Sequence, residues 1–187
     1  MRRSVGSTNA AITGLSVVSK DGVIVKVGFT PIADERTRLF ILGSLPGDRS
    51  IALGQYYGHP TNHFWKLVGA LIGEPLPERT YDERLERLRA HGIGLWDVFH
   101  AAHREGSSDT AIREARHNPV RDLAALHPDL RAIAFNGGTA AREGRRYFPE
   151  GGTLDLIDLP SSSAANTIGF EAKLAAWKRL TSYLGEP

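Results

Sequence analysis

Three short segments rich in Gly, Pro, Ser and Asn each follow an apolar run of the sequence. They are GSLPGDRS at 43–50, FNGG at 135–138 and LPSSSAAN at 159–166; we call the first the glycine loop and the last the serine loop. An apolar run that ends in such residues is typical of a buried strand followed by a tight loop. Backbone amides, serine hydroxyls and asparagine amides can together hydrogen-bond a polar ligand. We therefore expect these loops to form a polar binding site.

A fourth segment, GQYYGHPTNHFW at 54–65, runs from a loop into a predicted helix start; we call it the aromatic segment. The chain lacks the usual motifs of phosphate loops, dinucleotide folds, nucleophile elbows and zinc proteases. His59 and His63 are four residues apart, but the turn residues Pro60 and Thr61 between them argue against a metal pair on one helix face. The sequence therefore predicts no metal site.

Apolar runs that alternate with helical stripes predict an α/β sandwich around a largely parallel sheet. Strands are predicted within 22–29, 38–44, 130–138 and 151–160, with a short strand or extended connection at 92–99. Helices are predicted within 62–73, 80–92, 106–116 (with Asp109 as its N-cap), 118–126, 139–148 and 170–184. Because the carboxyl ends of parallel strands meet at one edge of a sheet, the three polar loops should converge there.

Length and composition narrow the class of protein. A chain of 187 residues suits one domain, which we expect at 15–187, preceded by a flexible arm at 1–14. No apolar run approaches the roughly 18–20 residues of a membrane span, and no secretory signal is present, so a cytoplasmic location is expected. The absence of cysteine excludes disulfides, thiol nucleophiles and iron–sulfur clusters. A net charge of +2 and a pI near 9.0 permit nucleic-acid binding without requiring it.

The glycine loop and the aromatic segment together resemble the first signature of the uracil-DNA glycosylase superfamily. With GLWDV at 94–98, REGSSDTAI at 104–112 and the two later loops, the chain is most similar to the hypoxanthine-DNA glycosylase branch. The matches occur in order over most of the chain. The resemblance implies a three-layer α/β/α sandwich with a central, mainly parallel sheet of four to five strands.

The same resemblance implies an enzyme that flips a deaminated base, hypoxanthine above all, out of duplex DNA and hydrolyses its N-glycosidic bond without a cofactor. No lysine lies in the candidate loops to form a Schiff base, so monofunctional hydrolysis is expected. A uracil or mismatch-specific uracil glycosylase on the same scaffold is the nearest alternative, and a non-catalytic module that binds damaged DNA or nucleotides is one of another class. Duplex DNA is the expected partner, with single-stranded DNA a further substrate form, and the expected protein is a monomer.

The resemblance assigns the catalytic role to Asn62. Mismatch-specific relatives carry a water-positioning Asn where this chain has Leu45, whose aliphatic side chain cannot orient water. In the hypoxanthine branch the catalytic Asn lies in the HPxNxFW pattern, which is Asn62 here. An alternative is that Asn62, or Thr61, is only the N-cap of the helix that follows.

The remaining site residues also follow from the resemblance. The expected base-binding residues are Gly43, Ser44, Leu45, Pro46, Gly47, Ser50, Tyr57, His59 and Asn136, with Tyr57 stacking on the flipped base, while Ser107 and Asp109 help to shape the pocket. The expected DNA-binding residues are Ser161, Ser162, Ser163, Ala164 and Asn166. Alternatives stay open: Tyr57 as a core ring beside Trp65, Asn136 as a turn residue, and the serine loop as a flexible linker.

Overall fold

The computed structural model describes residues 15–18, 24–148 and 152–185, so the expected arm at 1–14 lies outside the described residues. The strands are β1 (Leu15–Val18), β2 (Ile24–Val27), β3 (Leu39–Gly43), β4 (Ile93–Asp97), β5 (Phe99–His103), β6 (Arg113–His117), β7 (Ala132–Asn136) and β8 (Asp155–Leu159). The α-helices are α1 (Asp48–Leu53), α2 (Phe64–Ile72), α3 (Tyr81–Ala90), α4 (Val120–Ala125), α5 (Gly138–Gly144) and α6 (Phe170–Trp177). Short 3₁₀ turns lie at Leu76–Glu78, Asp109–Ala111, Arg145–Tyr147 and Lys178–Tyr183.

The central sheet has four parallel strands in the order β4-β3-β7-β8. Leu39 at the start of β3 is in register with Ile93 of β4 and with Ala132 of β7. β3, β4 and β7 are buried along their whole length, as their continuous apolar runs predict for a sheet covered on both faces. The predicted parallel sheet is confirmed, and its strands all end at the same edge.

Helices cover both faces of this sheet. Leu39 and Ile41 of β3 pack on the side of α2, α3 and α6, where Trp177 of α6 is fully buried. Phe40 and Leu42 of the same strand pack on the side of α4 and α5. Because successive side chains of a strand point to opposite faces, one apolar run serves two cores. The predicted three-layer α/β/α architecture is confirmed.

A second, antiparallel sheet in the order β1-β2-β5-β6 was not predicted. The stretch 92–99 is not one strand, because β4 ends at Asp97 and β5 begins at Phe99 in the other sheet. The predicted helix at 106–116 is wrong: a single 3₁₀ turn at Asp109–Ala111 leads into β6, and the side chain of Asp109 does not cap it. Pairing of β6 with β5 provides hydrogen-bond partners for backbone N–H and C=O groups that would otherwise be paired within a helix. The charged side chains of β6 suit its place at the sheet edge.

The helix α2, which carries the aromatic segment into the core, spans Phe64–Ile72 and stops at the left-handed Gly73, as predicted, but it begins two residues later than the predicted start at Asn62. The helix α3 has a capping box formed by Thr80 and Glu83. The last predicted helix is α-helical only to Trp177 and continues as a 3₁₀ helix to Tyr183. Within the described ranges, no helix has the length and apolar character needed to cross a membrane.

Candidate active site

A cavity of about 620 Å³ opens at the edge where the parallel strands end. The loops after β3, β5, β7 and β8, the end of β4 and the aromatic segment form its walls; we call it the sheet-edge cavity. Every residue to which the family resemblance gives a catalytic, base-binding or DNA-binding role lines it. The expected convergence of the three polar loops is confirmed, while the individual roles stay predictions.

The glycine loop begins where the backbone passes very close to a carboxylate. Gly43 pairs in register with Asp97 of β4, and a Cβ on Gly43 would collide with Asp97 Oδ1 and lie 3.1 Å from the hydroxyl of Tyr57. Only glycine fits between these two groups. Ser50 lines the cavity, and its expected contact with the base stays a prediction. Its hydroxyl oxygen accepts a hydrogen bond from the backbone N–H of Gly58 at 3.0 Å and so holds the aromatic segment against α1.

Arg104, at the end of β5, holds the glycine loop from behind. Its guanidinium donates to the carbonyl oxygen of Leu45 at 3.1 Å and to that of Pro46. The side chain of Leu45 packs against Phe99 and Ala102 in a small core of its own. Leu45 therefore meets the sheet-edge cavity mainly through its backbone, since only 6% of the residue is exposed.

Tyr57 combines an uncommon backbone conformation with a stacked ring. Its φ of 53° lies in the left-handed region, which non-glycine residues adopt infrequently and which recurs at functional sites. The ring stacks on Phe64 at 3.7 Å between centroids and 9° between planes. One face of the ring is thus packed on the core, as the alternative held, with Phe64 as the partner rather than Trp65. The residue is half-buried and lines the cavity, so its other face is the one that a base can reach.

Asn62 makes the contact that a helix cap makes and also lines the cavity. Its Oδ1 accepts a hydrogen bond from the backbone N–H of Phe64 at 3.0 Å, just where α2 begins. His59 fixes the preceding turn, because its carbonyl accepts from the Asn62 N–H and its ring nitrogen Nδ1 lies 2.9 Å from the Thr61 hydroxyl. The N-cap position of α2 is His63, which makes no side-chain cap hydrogen bond, so Asn62 acts on the helix start from one residue before the cap. Its amide nitrogen has no partner among the residues that the structure describes.

Asn136 joins two strand exits. Its amide nitrogen donates to Ser162 Oγ at 2.9 Å, and the Ser162 N–H donates back to its oxygen at 2.8 Å. The next residue, Gly137, has a φ of 104°, and a Cβ there would lie 3.1 Å from the side chain of Ser161. The carbonyl of Ser162 accepts from the His63 N–H, which ties the serine loop to the start of α2. Asn136 is therefore a bridge between loops, a role that the sequence did not indicate.

The serine loop is held internally and from below. Ser161 Oγ accepts from the Ser163 N–H, and Ser163 Oγ accepts from the Ala165 N–H, both at 3.2 Å. The fully buried Lys173 of α6 donates to the carbonyl of Ser163 at 2.7 Å, and burial lowers the pKa of Lys173. Asn166 ends the loop by accepting from the Ile168 N–H, and Ala164 is exposed. These hydrogen bonds hold the serine loop in one conformation, so it is not a flexible linker.

Two carboxylates at the cavity have shifted pKa values. The pKa of Asp97 is raised to about 7, first by burial and then by the charge of Asp109, against the opposing effect of the Arg104 guanidinium. Burial also raises the pKa of Asp109, which accepts from Ser44 Oγ at 2.8 Å and lies 3.7 Å from Arg104. The sequence marked GLWDV as a motif but assigned no role to Asp97. A lone acidic residue at the end of an apolar strand run was the signal that pointed to it.

Metal ligands are not gathered at this site. Across the part of the chain that the structure describes, no group of three or more His, Asp or Glu side chains is placed to hold a metal ion. The cavity instead offers amide, hydroxyl and carboxyl groups, with the exposed Arg49 at its rim.

Comparisons with known proteins agree with this geometry. Residues 30–182 match the sequence profile of the Uracil DNA glycosylase superfamily. Two proteins named hypoxanthine DNA glycosylase are similar: one from Methanosarcina barkeri, 44% identical over 81% of this chain and 95% of the relative, and one from Methanosarcina acetivorans, 43% identical over 83% and 97%. A solution NMR structure described as a candidate uracil DNA glycosylase from Methanosarcina acetivorans superposes with a TM-score of 0.75 and 42% identity, covering 84% of this chain and 96% of that one. The chain therefore belongs to the uracil DNA glycosylase superfamily.

Proposed function

We propose that this protein hydrolyses the N-glycosidic bond of hypoxanthine in double-stranded DNA, the first step of base-excision repair. The observation that carries the proposal is the sheet-edge cavity, because the residues that the family resemblance assigns to the site all border it. The choice of hypoxanthine rests on the two relatives of that name, which are 43–44% identical over nearly their whole length.

The proposed roles divide the work of base flipping among the walls of the cavity. Unstacking a base costs a few kcal/mol, and stacking on the free face of Tyr57 returns about 1–3 kcal/mol of it. Hydroxyls and backbone amides of the serine loop bind the flanking phosphates, which positions the DNA without reading its sequence. The free amide nitrogen of Asn62 hydrogen-bonds the departing base or the attacking water. Ser50 and Asn136 keep the walls in place.

Uracil is the second candidate substrate, because the similar NMR structure is described as a candidate uracil DNA glycosylase. A cavity of about 620 Å³ is within the usual range of ligand pockets and admits a one-ring or a two-ring base. Cavity volume alone therefore does not choose between the two substrates.

The deciding experiment uses end-labelled duplexes that each carry one deoxyinosine, deoxyuridine or deoxyxanthosine, with an undamaged duplex as control. We expect the deoxyinosine duplex to be cleaved, and to be cleaved only after alkali treatment, since hydrolysis leaves an abasic site and an intact backbone. Cleavage before alkali would contradict monofunctional hydrolysis, and cleavage of the deoxyuridine duplex alone would favour the second candidate. Tight binding to a stable abasic analogue with no cleavage of any duplex would identify a binding module instead.

We also propose that the protein acts as a monomer on double-stranded DNA, with single-stranded DNA as a further substrate form. Light scattering coupled to size-exclusion chromatography should give a mass near 20.4 kDa for the protein alone. For the protein bound to a short duplex, the same mass should remain once the mass of the duplex is subtracted. The same labelled strand, single or annealed, compares the two substrate forms directly.

A further inference from the structure

Asp97 has a buried carboxylate that makes no contact needed by the fold and has no part in the roles proposed above. The residue is 4% exposed, closes the C-terminal end of β4 and lines the sheet-edge cavity. Its Oδ2 is buried and has no hydrogen-bond partner among the residues that the structure describes. The Asn118 amide donates to the backbone carbonyl of Asp97 and not to the carboxylate. A carboxylate that served only to hold the strand end would be hydrogen-bonded.

The groups around Asp97 favour its protonated form. Asp109, from the turn after β5, contributes a second negative charge, while the Arg104 guanidinium is shared with the carbonyls of the glycine loop. The aromatic segment contributes Tyr56 and Tyr57, whose hydroxyls are neutral near pH 7, and burial raises the pKa of each still further. Burial raises the pKa of Asp97 itself to about 7. Near neutral pH a large fraction of the protein therefore holds a carboxylic acid, and hence an O–H donor, at the cavity.

A purine departs from deoxyribose more readily when a ring nitrogen of the base accepts a proton. When the C1′–N9 bond breaks, its electron pair stays with the base, and a proton delivered to N7 or N3 makes the leaving group neutral. Uracil carries no imidazole ring and has no equivalent of N7. An acid placed at the base pocket therefore assists purine release in particular.

We propose that Asp97 is a general acid that donates its proton to a ring nitrogen of hypoxanthine as the base departs. The inference rests on the proposed function. In the step, the Asp97 O–H bond and the C1′–N9 bond break while an N–H bond forms on the base. Water then adds to C1′ and gives up one proton, which returns the carboxylate to its acid form. The sum is hydrolysis of deoxyinosine in DNA to an abasic site and free hypoxanthine, with no other reactant.

The first test compares single-turnover rates on a deoxyinosine duplex between pH 5 and pH 9. The wild-type rate should be level below about pH 7 and fall about tenfold per pH unit above it, because the acid form is lost there. Asp97→Asn should be about 10²–10⁴-fold slower at pH 6 and lack this fall. The control Asp129→Asn makes the same chemical change at an exposed position between α4 and β7 and should behave as wild type. A wild-type rate that rises through pH 7, or an Asp97→Asn variant as fast as wild type, overturns the proposal.

A second test identifies the nitrogen and needs no variant to fold. Duplexes with 7-deaza- and 3-deaza-deoxyinosine each lack one proton acceptor. For one analogue the wild-type enzyme should be slow and lose the fall in rate above pH 7, while the other analogue keeps both properties of deoxyinosine. Equal pH profiles on deoxyinosine and both analogues, or cleavage of neither analogue, contradict proton delivery to a single nitrogen. A wild-type protein inactive on every damaged duplex refutes the proposed function itself, which separates that failure from this one.

Discussion

Asn62 is a single side chain with two candidate tasks, and its two amide atoms separate them. The oxygen accepts from the Phe64 N–H at the start of α2, and the nitrogen remains available at the cavity. Asn62→Asp keeps an oxygen for the cap and removes the amide donor, whereas Asn62→Ala removes both. We expect both variants to lose turnover at saturating enzyme, and only the alanine variant to lose about 0.5–2 kcal/mol of unfolding free energy.

The measurements are single-turnover cleavage of the deoxyinosine duplex and urea unfolding. Cleavage by Asn62→Asp at the wild-type rate would mean that Asn62 is a helix cap and nothing more.

Tyr57 presents its ring and its hydroxyl to different surroundings. The ring stacks on Phe64, while the hydroxyl is buried and makes no hydrogen bond within the described part of the chain. Tyr57→Phe should keep stability and cleavage close to those of wild type, because it retains the ring and removes only an unpaired donor. Tyr57→Ala should lose cleavage through weaker base stacking and lose at least about 0.5–1.5 kcal/mol of stability through the missing ring pair.

A fluorescent base analogue opposite the lesion reports flipping in both variants. If Tyr57→Phe is as impaired in flipping as Tyr57→Ala, the hydroxyl rather than the ring face contacts the base.

At the scale of elements, the second sheet serves as the support of the glycine loop. Arg104 leaves β5, is 2% exposed and donates to the carbonyls of Leu45 and Pro46. Arg104→Met would leave both carbonyls without their donor and remove the cation beside the partly exposed Asp109. We expect a loss of about 1–3 kcal/mol in unfolding free energy, the usual cost of leaving a buried hydrogen-bonding group unpaired.

Arg116→Met, an exposed change on β6, is the matched control and should alter stability by less than about 0.5 kcal/mol. Hydrogen exchange should also become faster at 44–48 in the Arg104 variant and stay unchanged in the control. Unchanged protection of that loop would show that the second sheet does not support it.

At the scale of the whole molecule, one charge cluster joins α2 to α3 and makes stability depend on pH. Glu74 accepts from Arg87 at 2.8 Å and lies 3.2 Å from both Arg79 and His91. The hydrogen bond from Arg87 is the largest influence that lowers the pKa of Glu74, to about 2 from an ordinary 4.5. Because the folded-state pKa is the lower one, this stabilisation is present above pH 4.5 and is lost as the pH falls from 4.5 to 2.

Glu74→Gln should therefore be less stable than wild type by on the order of 1–3 kcal/mol at pH 7, and the difference should shrink towards pH 2. Urea unfolding at a series of pH values measures it, with Glu78→Gln as an exposed control. A difference that is the same at pH 7 and pH 2 would mean that Glu74 stabilises through packing and not through its charge.

How much of the structure could be predicted from the sequence depends on how local each feature is. The runs that became β3 and β7 are apolar throughout and end in Gly or Asn, so strand, burial and loop can be read from neighbouring residues. β6 could not be read in this way, because the sequence of Arg113–His117 is mostly charged and becomes a strand only by pairing with β5. The Asp109 turn was mistaken for a helix start for the same reason.

By itself, the sequence determined the family, the three-layer parallel sheet and the loops that meet at its edge, because motif order and hydrophobic pattern are properties of the chain alone. Only the tertiary structure decided what individual side chains do. In the structure, Ser50 and Asn136 hydrogen-bond the segments that form the cavity walls, and Arg104 lies behind the glycine loop. The Asp97 carboxyl lies beside Gly43, buried and unpaired within the described residues. Such contacts join residues far apart in sequence, and their energies depend on burial, which exists only once the chain has folded.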